Sequence, residues 1–407
     1  MMRDILHLPA SMRIHGFYTT KRILFGVGSL KRIGVEAKKI AKRSVILISD
    51  KSIRRLGLLD KVIESLEQEN LDIEVFSEFK PEPHLEDVQK ITERVRAGKY
   101  DLIIGVGGGS AMDVAKVGSI MATNPGDVTQ YIGGTVEDDK VNNQPIPKIL
   151  VPTTSGTGSE VSMGAVFSIK HHKVGIRSPK NLPEVAMIDP MMTVSMPPSV
   201  TASTGIDALS HAIESTMNIM ANVITDALAY QSIKLVADNL LTAFTQRDNT
   251  EARYNMSLAA TLAGMSQTQH SCAIAHAMAN AFSAKMNIPH GVSLAVALPY
   301  TIEFNLPACT KKLAIIASLM GEKVSGASTR EAALRALVSI KRLIEDLELP
   351  TKLKDLNIPK SDIPKLVEDT TNFGGGMLSR NVRKASKDDL TKLFTKMWEG
   401  EVAINVY

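Results

Sequence analysis

The first half of the chain alternates short apolar runs with amphipathic stretches. Residues 44–49 (Ser-Val-Ile-Leu-Ile-Ser) form an unbroken apolar run of strand length, the pattern of a strand buried on both faces of a parallel sheet. It ends at Asp50, and a helical stretch is predicted from there to about Glu69. A second strand is predicted over Leu71 to Phe76. Leu85, Val88, Ile91 and Val95 then recur at helical spacing with charges between them, which predicts an amphipathic helix. A third strand is predicted over Asp101 to Val106. This βαβαβ order predicts a parallel, doubly wound sheet. Further strands are predicted at Ile149 to Val151, Ala165 to Ile169 and Val185 to Ile188. Beyond Pro197-Pro198 the apolar positions follow helical spacing through Ala/Leu/Met-rich segments. Ser328 followed by Glu331 is a capping box, opening a helix that leads toward Leu349-Pro350. The pattern thus predicts an α/β domain over 1–195 and an all-α domain over 196–407.

Composition narrows the class. The 407 residues are 44% hydrophobic and 22% charged, enough to bury sizeable cores in two domains and to exclude wholesale disorder. Lys plus Arg number 47 against 43 Asp plus Glu, a formal charge of +4 without a basic stripe, so no nucleic-acid partner is predicted. Two cysteines, Cys272 and Cys309, exclude a disulfide framework and a four-thiolate zinc site. No uninterrupted apolar run reaches the roughly 20 residues of a membrane span. Met1 to Arg13 lacks the apolar core of a signal peptide. The prediction is a cytoplasmic chain with no membrane partner.

The third strand runs straight into Gly105-Val106-Gly107-Gly108-Gly109-Ser110. A strand, a glycine turn and a helix start make an anion site, because glycine lets backbone N–H groups approach a phosphate and the helix N-terminus favours negative charge. The run departs from the GxGxxG fingerprint at Ser110 and carries no Walker lysine. A second loop of small residues, Pro152 to Glu160, follows another strand, where ligands of open α/β sheets sit. Asp50 ends the first strand of the unit, where a carboxylate can accept from a ribose diol and repel a 2′-phosphate. An ordinary turn-forming Asp reads the same way from sequence.

Of nine histidines, His7, His15, His84, His171 and His172 sit in unremarkable segments. Asp207 and His211 are four apart in a helical stretch, so both project from one face. His276 belongs to another helical stretch, and His290, between a proline and a glycine, is predicted on the turn after it. One carboxylate and three imidazoles suit Fe²⁺ or Zn²⁺. A lone D-x-x-x-H pair is also a common helix-face hydrogen bond, and both readings stand on spacing alone.

Taken together, the segments 107–110 with Asp113 and Lys116, 152–160, Thr204-Gly205-Ile206-Asp207 with His211, and Pro289-His290-Gly291 resemble the iron-containing (group III) alcohol dehydrogenase family. The resemblance runs from about Phe17 to Glu399. It implies a Rossmann-like N-terminal domain and an all-α C-terminal domain, a dehydroquinate synthase-like fold. It implies Asp207, His211, His276 and His290 as ligands of Fe²⁺, with Zn²⁺ the alternative, acting in catalysis through the metal. It implies cofactor contacts at Gly108, Gly109, Ser110 and Ala111, at Thr154 and Ser155, and at Lys173 and Met192, with Asp50 favouring NAD over NADP. The implied reaction is reversible hydride transfer between a small alcohol and NAD(P), with the cation acting as Lewis acid. A homo-oligomer, dimer or larger, is also implied. Three departures stand out: Asn280 where many members carry histidine, the polar run Gln267-Thr268-Gln269-His270-Ser271 before His276, and Glu82-Pro83-His84 in place of N-P-T. The polar run points to a polar or diol-like substrate. Two other uses of such a scaffold are a non-redox lyase and a nucleotide-binding protein without catalysis. The lyase would need a dense basic set that these segments lack, and the intact ligand quartet argues against the other.

Overall fold

The computed structural model describes residues 14–402, and His7 and the segment Met1 to Arg13 lie outside them. The chain divides into two compact units. One is Tyr18–Met196, and the other runs from Pro197 and includes the described residues before Tyr18. The division falls one residue past the boundary read from sequence, and residues 14–17 group with the helical unit instead of the α/β unit.

In the α/β unit eight strands are described: β1 (Ile23–Phe25), β2 (Ser44–Ser49), β3 (Asp72–Phe76), β4 (Leu102–Gly107), β5 (Lys148–Pro152), β6 (Gly164–Ile169), β7 (His172–Arg177) and β8 (Val185–Ile188). Six form one sheet in the order β1-β8-β5-β4-β2-β3, every neighbouring pair parallel. The apolar runs are unbroken because both faces are covered. Val45 and Leu47 of β2 enter one core with Ile33, Leu59, Leu102 and Ile104. Ile46 and Ile48 enter the opposite core with Val88, Ile91, Ile103 and Met112. From β2 the chain steps outward to β3, then returns to the other side of β2 with β4. The carboxyl ends of β2 and β4 therefore flank a topological switch point, the place where open α/β sheets bind ligands.

Two elements gain detail that the sequence pattern did not supply. The predicted 165–169 strand forms as β6 and pairs antiparallel with β7 in a separate hairpin turned through Lys170, at φ 56°. The helical stretch after Asp50 is two helices, α2 (Lys51–Arg55) and α3 (Leu58–Glu67), parted by Gly57 at φ 69°. The other helices of this unit are α1 (Ile33–Ile40), α4 (Leu85–Ala97) and α5 (Gly109–Met121). A side chain at Gly105 would lie 2.8 Å from Ala115 Cβ and 2.9 Å from Leu150 Cδ2, so glycine there lets α5 settle on the sheet.

The helical unit contains α6 (Pro198–Thr216), α7 (Val223–Thr245), α8 (Thr250–Gln267), α9 (Ile274–Met286), α10 (His290–Leu319), α11 (Thr329–Asp346), α12 (Ile363–Phe373) and α13 (Lys387–Glu399). The predicted capping box opens α11: Ser328 N–H donates to Glu331 and Glu331 N–H to Ser328 Oγ. One core joins Leu209, Ile213, Val236, Leu240, Met278, Phe282, Leu298 and Ile340. α10 has the length and mean hydropathy of a span, but Glu303, Lys311 and Lys312 interrupt its apolar run and most of it is buried inside the protein, as the core helix of this unit. Its chain departs from helical geometry at Cys309, two residues after Pro307.

Lys116 on α5 is fully buried and donates from Nζ to Ser159 Oγ at 2.7 Å, Ser162 Oγ at 3.0 Å and Gly164 O at 2.7 Å. It thereby ties α5 to the loop after β5. Burial pushes its ammonium down from 10.5 to about 8, against the attraction of Asp113, and burial also pushes Lys148 down to about 8. With the folded value below the unfolded one, the unfolded chain binds more protons between pH 8 and 10.5. Stability from Lys116 therefore rises with pH across that window, by about 3 kcal/mol at most. Lys116→Met is expected to flatten the rise in urea midpoint between pH 8 and pH 10 by about half, Lys148 supplying the rest.

Candidate metal and nucleotide sites

The glycine loop in the α/β unit is built for close approach. Gly107 sits at φ 155°, and a side chain there would lie 2.6 Å from Ala111 Cβ. Gly108 is the extended N-cap of α5, and no side chain at the N-cap position caps that helix, a helix start of the kind that suits an anion. A side chain at Gly109 would lie 2.8 Å from Thr157 Cγ2, and one at Gly108 3.5 Å from Thr154. The second loop therefore packs directly on the first, and Thr153 N–H donates to Gly107 O at 2.9 Å. Thr154 thus stands beside Gly108, and Ser155 is buried. Ser110 Oγ accepts from Glu82 N–H at 3.0 Å, and Glu82 Oε1 lies 3.7 Å from Lys173 Nζ. Glu82 thus engages the lysine that the resemblance implies at the cofactor. His84 opens α4, its N–H donating to Asp87 Oδ2.

Asp50 plays the local, turn-type role that the sequence left open. Its Oδ1 accepts from Ser52 N–H at 2.8 Å and Ile53 N–H at 3.2 Å, capping α2. Its Oδ2 faces the glycine loop, 3.4 Å from where a Gly107 side chain would begin. Met192 is different. It is 3% exposed and packs among Val106, Val151 and Met187, so its side chain serves the core.

In the helical unit the four predicted ligands converge. Asp207 Oδ1 lies 3.6 Å from His211 Nδ1, 3.7 Å from His276 Nε2 and 3.9 Å from His290 Nε2. The first two ligands sit one turn apart on α6. His276 is in the first turn of α9. His290 is the first residue of α10, not part of a turn, because Asn287 in the left-handed region ends α9 and Pro289 starts the next helix. Gly291 makes this possible: a side chain there would lie 1.9 Å from Ser203 O of α6, so only glycine lets the start of α10 rest on that helix.

The donor atoms look toward a cation. Asp207 Oδ1, His211 Nδ1 and His276 Nε2 are buried with no hydrogen-bond partner. They are too far apart to bond one another. Four donors arranged tetrahedrally about a cation at ~2.1 Å stand roughly 3.4 Å apart, close to the three separations from Asp207. Burial alone would raise the Asp207 carboxyl, but the charges of His211 and its fellow histidines hold it well below the usual carboxylate range. Burial would lower His276, yet Cys272, Glu214 and Asp207 raise it well above 6.5.

Two residues went unassigned in the sequence. Glu214, fully buried, completes an i, i+4, i+7 face of α6 with Asp207 and His211. Its Oε2 accepts from His276 Nδ1–H at 2.5 Å, and its carboxylate also accepts from Ala273 N–H at 3.2 Å and Ala275 N–H at 2.5 Å. A carboxylate only accepts, so the proton sits on Nδ1 and Nε2 is left for a cation. The spacing from Asp207 could have signalled it. Cys272, 8% exposed, stands with His211 and His276 in a second donor group. It was legible only as a cysteine near a histidine in sequence. Asn280 lies one turn past His276 on α9. In the polar run, His270 is 2% exposed with Nε2 3.2 Å from Ser215 Oγ, and Gln267 Nε2 donates to Cys272 Sγ at 3.0 Å. These side chains are engaged inside the unit, which weakens the run as an argument for a polar substrate.

Residues 20–190 match the model of iron-containing alcohol dehydrogenase, and residues 201–398 match that of the Fe-containing alcohol dehydrogenase family, C-terminal. Long-chain-alcohol dehydrogenase 1 of Geobacillus thermodenitrificans is 35% identical over 93% of this chain and 95% of its own. A solved 1,3-propanediol oxidoreductase superposes with a TM-score of 0.91 at 34% identity, over 95% of this chain and 100% of that one. Sulfoacetaldehyde reductase of Bifidobacterium kashiwanohense, solved in complex with NAD⁺, gives 0.83 at 28% identity, over 94% and 98%. The fold and the converging donors define a metal-dependent oxidoreductase. The chain belongs to the iron-containing alcohol dehydrogenase family and is an alcohol dehydrogenase enzyme.

Glu214→Gln keeps an acceptor for the Ala275 amide but presents an N–H₂ to His276 and the Ala273 amide. It is expected to weaken cation affinity 10–100-fold, read by competition with a chelator, while the circular dichroism stays unchanged. Gly291→Ala is expected to lower thermal stability and metal content together, since the start of α10 must move off Ser203.

Proposed function

We propose that this enzyme oxidises small alcohols and reduces the matching aldehydes with NAD, using a divalent cation held by Asp207, His211, His276 and His290. Fe²⁺ is favoured by the family, and Zn²⁺ is the alternative that the same donors accept. When bound, the cation supplies Lewis acidity toward the alcohol oxygen and NAD accepts the hydride. The chain's own residues do the rest. Glu214 holds the proton on His276 Nδ1 and fixes the ring. The helix start at Gly108 to Ala111 offers backbone N–H groups to a pyrophosphate. Asp50 Oδ2 presents a carboxylate beside that loop, which suits a free ribose diol and opposes a 2′-phosphate.

The observation that carries the reading is Asp207 Oδ1, buried without a hydrogen-bond partner and within 3.9 Å of three imidazole nitrogens. Asp207→Ala combined with His276→Ala is expected to abolish bound metal and alcohol-dependent NAD⁺ reduction, with the helical content kept. Retention of both metal and turnover in that double variant would end the reading. Assaying alcohols, diols and hydroxy acids on stripped enzyme reloaded with Fe²⁺ or Zn²⁺ identifies substrate and metal. Asp50→Ser is expected to raise kcat/KM with NADP⁺ relative to NAD⁺ by at least tenfold, ~1.4 kcal/mol of transition-state discrimination. An unchanged ratio would show that this carboxylate does not meet the ribose.

A further inference from the structure

The helical unit holds two three-donor groups that share His276. One is Asp207, His276 and His290, and the other is His211, Cys272 and His276. Within each group the donor atoms lie within 4.8 Å of one another. The first group is oxygen and nitrogen only, while the second brings a sulfur. Cys272 is fixed in the short segment between α8 and α9, and Gln267 Nε2 donates to its Sγ at 3.0 Å. A donor of that kind orients a sulfur ligand and supports negative charge on it. The imidazoles beside it are aimed inward, with His276 Nε2 and His211 Nδ1 buried and lacking hydrogen-bond partners.

We propose that Cys272 is a further ligand of the cation held by Asp207, His211, His276 and His290, and that its sulfur makes the site favour thiophilic ions. Metal uptake then forms a sulfur–metal bond and releases the thiol proton to solvent. Thiolate ligands select Zn²⁺ and other softer ions, whereas an oxygen and nitrogen set discriminates less, so this cysteine shifts the balance between Fe²⁺ and Zn²⁺ toward zinc. The inference rests on the metal reading above and extends it to a residue outside the quartet.

Cobalt separates the two. Stripped full-length enzyme reconstituted with Co²⁺ is expected to bind one equivalent and to show a near-ultraviolet sulfur-to-cobalt charge-transfer band. The band should vanish in Cys272→Ser and Cys272→Ala, stay in Cys309→Ser, and leave the cobalt stoichiometry unchanged throughout. In competition with Fe²⁺, the preference for Zn²⁺ is expected to fall roughly tenfold in Cys272→Ser. Stoichiometric Co²⁺ without a band in the wild type, or a band that survives Cys272→Ser, would overturn the role of Cys272 and leave the quartet standing. Failure of the wild type to take up Co²⁺ at all would overturn both.

Discussion

The buried carboxylate of Glu214 is the constraint from which the helical site follows. It accepts from two backbone amides at the start of α9 and from His276 Nδ1. A charge with no exposure is tolerated only when its acceptor sites are filled, and here three donors from another segment fill them. The same contact therefore does two things. It caps α9 from a different helix, where no side chain of the local chain does so. It also locks the ring of His276 with Nε2 turned toward Asp207. Because Asp207, His211 and Glu214 share one face of α6, that helix presents two donors and the device that aims a third.

Close backbone approach is the second constraint, and it recurs in both units for the same reason. Gly205 and Gly291 each stand where a side chain would lie within 2.2 Å of a neighbour, Leu240 in one case and Ser203 O in the other. α6 can therefore be approached by α7 and α10 at distances no larger residue permits. In the α/β unit Gly105 and Gly109 do likewise for α5 and the loop after β5. The glycines remove bulk where elements must touch, and the polar atoms thereby brought together make the sites.

Much of this was legible in the chain, and the pattern of what was not has a physical cause. The strands of the parallel sheet announced themselves because residues buried on both faces read as unbroken apolar runs, as Ser44 to Ser49 does. The 165–169 strand was found but its sheet was not, since a half-buried hairpin strand and a short sheet strand look alike without their partner. The glycine turn was legible because its conformation depends on the backbone, which the sequence reports directly as glycine. Asp207 with His211 was visible as a pair on one helix. The convergence of His276 and His290 was not, because their helices meet α6 through tertiary packing. The resemblance to a family supplied that link, and Gly291 is the residue that explains it. Glu214 escaped notice although its spacing was available, because a glutamate on a helix is most often solvated.

The two sites differ in how firmly their chemistry is specified. An anion site made of N–H groups at a helix start is set by chain conformation, so substituting side chains around it alters preference more than existence. Asp50 illustrates this: one oxygen is committed to capping α2 and the other is left beside the glycine loop. A cation site made of side chains is set by identity at each position, and every donor changes what it selects. Cys272 matters for that reason. Two donor groups that share one imidazole give the helical unit both a hard and a soft flank. An oxygen-and-nitrogen set discriminates weakly between Fe²⁺ and Zn²⁺, whereas a sulfur ligand biases the site toward softer ions.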